Sequence, residues 1–209
     1  GMRMQTAHEF FIHGLTDILS AERQLVEALG KQAEESTRPE LKKAFESHRE
    51  QTQKQVERLE QCFEEIGEEP EETECKGMKG LIEEHDSFVE EEDPSEDLID
   101  IFNVGAATKV ERYEISEYEE LIRLATMMGH KKSVKLLNQN LKEEQQTEKK
   151  MLAFSKKLKP ENMGMDEEED ESEEYMSSEE EDESTDSADS ERRGKKASGG
   201  SKPRRGRAA

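Results

Sequence analysis

The sequence predicts an all-α protein: a four-helix bundle with a short crossover helix, followed by a disordered C-terminal tail. Three observations predict it. Four long stretches repeat apolar residues at i, i+3, i+4 and i+7, the period of a single buried helix face. A fifth, shorter stretch lies between the second and third of these, set off by the polar connector Glu68 to Lys76 and the break Asp93-Pro94-Ser95. Finally, the 209-residue chain has a formal net charge of −22 and is only 30% hydrophobic, too polar for one compact domain of its length. The polarity is concentrated at the C-terminal end, so a bundle over residues 6–160, long enough to bury a core, precedes a tail over residues 161–209.

The first helix runs from about Thr6 to Glu35, with Phe11, Leu15, Ile18, Leu25 and Leu29 as its stripe. Ser36-Thr37-Arg38-Pro39 breaks the chain, and Thr37 is placed to cap a second helix that has Pro39 in its first turn. That helix ends at Gly67 and carries Leu41, Phe45, Val56, Leu59, Phe63 and Ile66. Its mid-section is polar: His48 and Thr52 sit on the stripe, Gln51 and Gln55 on its shoulder, and Glu50 projects to nearly the opposite side. Met78 to Glu91 forms the crossover helix. The third long helix, about Glu96 to Met128, carries Ile99, Ala106, Val110, Leu121, Leu124 and Met128, with a second stripe of Ile101, Val104, Ile115 and Ile122 that suggests contact with the crossover. After Gly129 the last helix runs to about Leu158, where Pro160 stops it, with Val134, Leu137, Leu141, Leu152 and Ser155 inward.

Function classes narrow from what is missing. No apolar run approaches the ~20 residues of a membrane span, and no N-terminal stretch has the form of a signal peptide. Cys62 and Cys75 make no disulfide framework and no zinc spacing, which points to reduced thiols and a cytoplasmic location. From Asp166 to Glu191 the tail holds no Lys or Arg, and from Arg192 onward it is basic. The basic end lacks aromatic interleaving, and the acidic block beside it repels DNA, so nucleic acid is not the expected partner. A flexible, solubilising tail is the preferred reading.

Glu22 is the wrong letter in an apolar stripe, within roughly 20° of its centre at about 100° per residue. A buried carboxylate costs several kcal/mol unless paired, protonated or bound to a metal. The other long helices are interrupted at the same depth: the second by His48 and Gln51, the third by Glu111 and Glu114, the last by Glu144 and Glu148. An antiparallel bundle brings helix midpoints to one level, and several anions do not share a dry site unaided. A pair of iron or manganese ions would neutralise them, because oxygen ligands with one imidazole suit those metals better than copper. Singly, each residue has a bland reading: a salt bridge for Glu22, Glu144 or Glu148, a solvated face for Glu111 and Glu114, a hydrogen-bonded core histidine for His48. Jointly, the four mid-stripe gaps favour metal.

Ser20-Ala21-Glu22-Arg23-Gln24-Leu25, Val56-Glu57-Arg58-Leu59-Glu60, Gly80-Leu81-Ile82-Glu83-Glu84, Leu141-Lys142-Glu143-Glu144 and above all Lys109-Val110-Glu111-Arg112-Tyr113-Glu114-Ile115 resemble the YciF/YciE-type ferritin-like proteins, bacterial stress-associated proteins of undefined biochemistry. The resemblance covers about residues 6–158. It implies a ferritin-like bundle, a di-iron-type site and, often, a homodimer. It implies Glu22, Glu111, Glu114 and Glu144 as ligands, with His48 and Glu148 as further candidates. The chain departs from the ferritin-like pattern on the second helix, where a Glu-x-x-His pair is usual and His48-Arg49-Glu50-Gln51 stands. It departs again on the last, where Thr147 follows Glu144 in place of a histidine. One metal position is therefore expected to be the weaker. Two functions follow: iron or peroxide redox chemistry at a carboxylate-bridged centre, or a non-catalytic interaction bundle with structural or absent metal and a partner-binding tail.

Overall fold

The structure, a computed structural model, describes residues 3–158. Among them are five helices and no strand: α1 (Ala7–Glu35), α2 (Pro39–Ile66), α3 (Lys76–Glu92), α4 (Glu96–Met127) and α5 (Lys131–Lys157). The charged tail expected over residues 161–209 lies outside the described residues. No described helix is long and apolar enough to cross a membrane.

The four long helices form an antiparallel bundle. One apolar cluster joins Phe11, Leu15 and Ile18 of α1 to Leu59 and Phe63 of α2, Leu121 and Ala125 of α4 and Leu137 of α5. The other joins Leu25 and Leu29 to Leu41, Phe45, Val104, Ala107 and Met151. The start of α1 thus meets the ends of α2 and α4 and the start of α5. The crossover α3 lays Met78, Leu81 and Ile82 against the second cluster, across α1 and α4. This is the ferritin-like arrangement of two helix hairpins and a crossover.

The buried faces follow one rule. Leu15, Ile18, Glu22, Leu25 and Leu29 of α1, Leu41, Phe45, His48, Thr52, Gln55, Leu59 and Cys62 of α2, and Val104, Ala107, Glu111, Glu114, Tyr118, Leu121 and Ala125 of α4 are all buried. So are Ser133, Leu137, Asn140, Glu144, Thr147 and Met151 of α5. Each series alternates steps of three and four, a period of about 3.5 residues that keeps one seam facing the partner helices as they supercoil. This corrects the expected face of α5: Leu152 is 37% exposed and Ser155 is exposed, while Met151 is fully buried. The expected faces of α4 shift likewise. Ala106, Leu124 and Met128 are half-buried, and Ile122 packs in the cluster with Leu15 and not against α3. The expected contact with α3 is kept by Val104, which shares a cluster with Met78, Leu81 and Ile82, and Phe102 adds a stack on Phe88 at 4.0 Å between ring centres.

The caps show what competes for polar groups. Thr6 opens α1 by accepting from the Glu9 N–H at 3.1 Å. Thr37 does not cap α2. Arg38 holds that position, with Pro39 entering the first turn, and Thr37 gives both its N–H and its hydroxyl to Asp100, at 2.8 Å each. Arg38 adds its own N–H at 3.2 Å and its guanidinium at 2.8 Å to the same carboxylate. Asp100 is fully buried, so these donors are worth more there than at an exposed helix end. Asp100→Ala is expected to lower stability by about 2–3 kcal/mol in urea denaturation, since the Arg38 partner retains some solvent.

The crossover starts earlier than expected, at Lys76, because the Cys75 thiol caps it by accepting from the Met78 N–H at 3.4 Å. Ser20 and Gln24 of α1 fix Cys75 through its N–H (2.9 Å) and C=O (3.1 Å). Gly77 is required here because a Cβ would collide with the Tyr113 ring of α4. At its centre, His85 bonds Asn103 at 2.7 Å and approaches Glu35 at 3.3 Å and Asp86 at 3.0 Å. Burial alone would discharge this imidazole, but the bonds to Glu35, Asp86 and Asn103 outweigh it and push it up to about 9. His85 is thus a cationic clamp between α1, α3 and α4.

Candidate metal centre

Between the two apolar clusters lies a polar layer. The seam positions that carry Leu and Ala toward the ends carry Glu22, His48, Thr52, Gln55, Glu111, Glu114, Asn140, Glu144 and Thr147 here, all 7% exposed or less. Their depth follows from the supercoil. The three-four steps that bury Leu15, Ile18, Leu25 and Leu29 on α1 bury Glu22 among them, because a seam turns every residue on it inward whatever its polarity.

Five of the six residues singled out in the sequence come together. One ligand atom from each of His48, Glu111 and Glu144 lies within 4.8 Å of the others, and so does one from each of Glu22, Glu114 and Glu144. Glu144 belongs to both groups. His48 Nε2 is 3.0 Å from Glu111 Oε1 and 4.0 Å from Glu144 Oε2. The shorter approach lacks the angle of a hydrogen bond. Both nitrogens of His48, both carboxylate oxygens of Glu111, Glu114 and Glu144, and Oε2 of Glu22 are buried with no hydrogen-bond partner. Orphans of this kind are rare in folded proteins and cost about 1–3 kcal/mol each, more when charged, so a cluster of them calls for a further partner.

Glu148, the sixth, does not join them. It lies one turn from Glu144 but is rotated by about 40° at about 100° per residue. Its side chain is 25% exposed and faces Arg112 at 3.9 Å. Glu50 is exposed, as its phase on α2 requires.

The electrostatics agree with the geometry. Burial raises Glu22, Glu114 and Glu144 well above the usual carboxylate range, and negative neighbours raise them further: Glu144 acts on Glu22 and Glu114, and Glu111 on Glu144. Burial likewise pushes Glu111 up to about 8. His48 moves the other way, lowered by burial against the pull of Glu144 and Glu22. Neutral acids and a neutral imidazole are what burial alone favours. A cation in the layer does the same neutralisation by displacing the protons, and an imidazole without a proton is the form that ligates.

Tyr118, one turn after Glu114 on α4, donates to Glu22 Oε1 at 2.8 Å. Asn140, absent from the sequence-based set, donates to Tyr118 Oη at 3.1 Å. Its signal was its place on α5 between Leu137 and Glu144 at the three-four spacing. Gln51 and Thr147, which stand where ferritin-like sites place further ligands, satisfy each other: the Thr147 hydroxyl donates to Gln51 Oε1 at 3.2 Å. Tyr113 turns away, its hydroxyl 3.3 Å from Cys75 Sγ.

A ferritin-like bundle with a buried carboxylate-histidine layer defines the class of this protein. A family model described as a domain of unknown function (DUF892) matches residues 6–164, and the chain belongs to that family. Protein YciF of Escherichia coli K12 is 40% identical over 151 residues, 72% of this chain and 90% of that protein. The crystal structure of the E. coli stress protein YciF superposes with a TM-score of 0.71 at 37% identity, covering 74% of this chain and 98% of that one. YcfI from Rhodopseudomonas palustris gives 0.69 at 38% identity, over 72% and 96%.

Proposed function

We propose that the chain is a metalloprotein whose polar layer binds two iron ions, with manganese as the second fit, and that it serves redox chemistry of iron or peroxide. The observation that carries this reading is the pair of three-ligand groups sharing Glu144, with nearly every ligand atom buried and unpartnered. His48, Glu111 and Glu144 would hold one ion and Glu22, Glu114 and Glu144 the other. Carboxylates with a single imidazole suit iron and manganese better than copper, and magnesium keeps more water than so dry a site admits. Iron held by these residues would supply electron transfer to or from dioxygen or peroxide.

The rest is the work of the chain. The apolar clusters above and below exclude water, which strengthens every charge interaction in the layer. His48 stays neutral and ready to ligate. The Gln51–Thr147 bond closes the positions that a second imidazole and a further acid would fill, so those two side chains support the layer without ligating. That the E. coli relative is described as a stress protein fits a role in handling iron or peroxide under stress.

The test is elemental analysis of protein purified without added metal, followed by aerobic titration with Fe(II) watched in the near ultraviolet. Bound iron or manganese near two ions per chain and oxidation of added Fe(II) are expected. A protein that neither binds nor oxidises Fe(II) sinks this reading and leaves the interaction bundle.

A further inference from the structure

The layer is joined to the surface by one continuous run of hydrogen bonds. Arg58 of α2 donates to Asn140 Oδ1 at 3.0 Å, Asn140 Nδ2 donates to Tyr118 Oη at 3.1 Å, and Tyr118 donates to Glu22 Oε1 at 2.8 Å. Asn140 Nδ2 also reaches the Gln55 carbonyl at 3.3 Å, and Arg58 is anchored on its outer side by Glu143 at 2.5 Å. Tyr118, Asn140 and Glu22 are fully buried, and the Arg58 side chain is 14% exposed.

The direction of the run is dictated by its ends. A guanidinium only donates, so the oxygen of the Asn140 amide must face Arg58 and its nitrogen must face inward. The Gln55 carbonyl only accepts, which requires the same orientation. With Asn140 donating into one lone pair of Tyr118, and no other acceptor offered to that hydroxyl, its single proton points at Glu22. Every bond donates toward the layer. The consequence is an asymmetry among the carboxylates: Glu22 has one oxygen committed and one, Oε2, without a partner, whereas Glu111, Glu114 and Glu144 have both oxygens unpartnered.

We propose that Arg58, Asn140 and Tyr118 are positioning residues that hold Glu22 in a single orientation, with Oε2 as the oxygen it would offer to a metal in the layer. This deepens the metal reading above and rests on it. Outer-shell partners of metal ligands commonly govern affinity by roughly 10–100-fold, and a chain that begins at a partly exposed arginine extends that control across the bundle to the α2–α5 face.

The experiment uses the full-length protein with Mn(II) for affinity and Co(II) for its visible absorption, which reports ligand number and geometry. Tyr118→Phe removes the last donor. Asn140→Asp keeps the shape but removes the inward N–H and offers Tyr118 a competing acceptor, so the hydroxyl leaves Glu22. Both are expected to weaken Mn(II) binding by about 10–100-fold and to change the Co(II) spectrum. Ser133→Ala, which removes a buried α5 hydroxyl bonded to Glu65 at 2.8 Å and far from the layer, is expected to match the wild type in both. Variants that bind and absorb like the wild type overturn the proposal while leaving the metal site standing. A change in Tyr118→Phe but not in Asn140→Asp overturns the chain, reducing it to one hydrogen bond. A wild type that binds neither ion overturns the metal reading itself and this proposal with it.

Discussion

Glu144→Leu is expected to abolish metal binding and, in the same molecule, to raise the stability of the metal-free protein. Both follow from one position. Glu144 is the single residue in both three-ligand groups, so its loss takes a ligand from each ion, and affinity should fall by more than the roughly 100-fold that outer-shell changes alone reach. Its partners predict the opposite effect on folding. Glu144 is fully buried, its close polar neighbours are other acids and His48, and its charge is opposed by Glu111. Replacing buried ionisable groups by apolar side chains of similar size is often neutral or stabilising by about 1–4 kcal/mol. Metal analysis and urea denaturation in EDTA read the two effects. Glu22→Ala serves as the comparison, since Glu22 belongs to one group only and should cost one ion of two. Retention of full metal by Glu144→Leu would end the assignment. A metal-free variant less stable than the wild type would mean that Glu144 has a structural partner in solution.

The trade of stability for a charged layer explains how much of this protein can be read from sequence. Glu22, Glu111, Glu114 and Glu144 were legible because each is an acid flanked by apolar residues at helical spacing, and an acid on a buried face has few physical explanations. The five helices were legible for the same reason. The phase of α5 was not. Leu141 and Leu152 are the larger apolar residues, and an ideal helix of about 3.6 residues per turn passes near both. The buried seam instead runs through Asn140 and Met151, the same eleven-residue spacing set back by one residue, or about 100° of rotation. A face drawn through Leu141 leaves Asn140 without a signal, and its partners are Arg58 and Tyr118 on two other helices. Asp100 and His85 escaped for a related reason: the Arg38 donor to Asp100 lies 62 residues away and the Asn103 acceptor for His85 lies 18 away, and no local pattern announces such partners. Thr37 carried a correct signal for a different bond, since a hydroxyl before a helix start caps it only if no buried acceptor competes.

The metal-free protein is expected to lose stability as pH rises between about 6.5 and 8, and bound Mn(II) is expected to reduce that loss. Glu111 shows the direction. Its carboxyl releases a proton near the ordinary 4.5 when unfolded and near 8 when folded. Between those values the folded state holds a proton that the unfolded chain lacks, so each unit of pH costs about 1.4 kcal/mol per carboxyl in this condition. Glu22, Glu114 and Glu144 are raised as well and extend the decline. His48 opposes it at lower pH: buried neutral, it adds stability as the unfolded imidazole discharges through the ordinary 6.5, which places the clearest window above that value. Glu117, raised to about 7, and His85, raised to about 9, add to the fall from outside the layer. Glu111→Gln separates the contributions, because it should flatten the part that the layer supplies and leave the rest. A divalent ion displaces the shared protons, so folding with Mn(II) bound no longer takes up protons there and the slope should shrink to that of the outlying groups. Urea midpoints at about pH 6.5, 7.25 and 8, in EDTA and in excess Mn(II), measure both. A metal-free stability that is level or rising across this range would mean that the carboxyls are ionised when folded, and that cations other than metal already neutralise them.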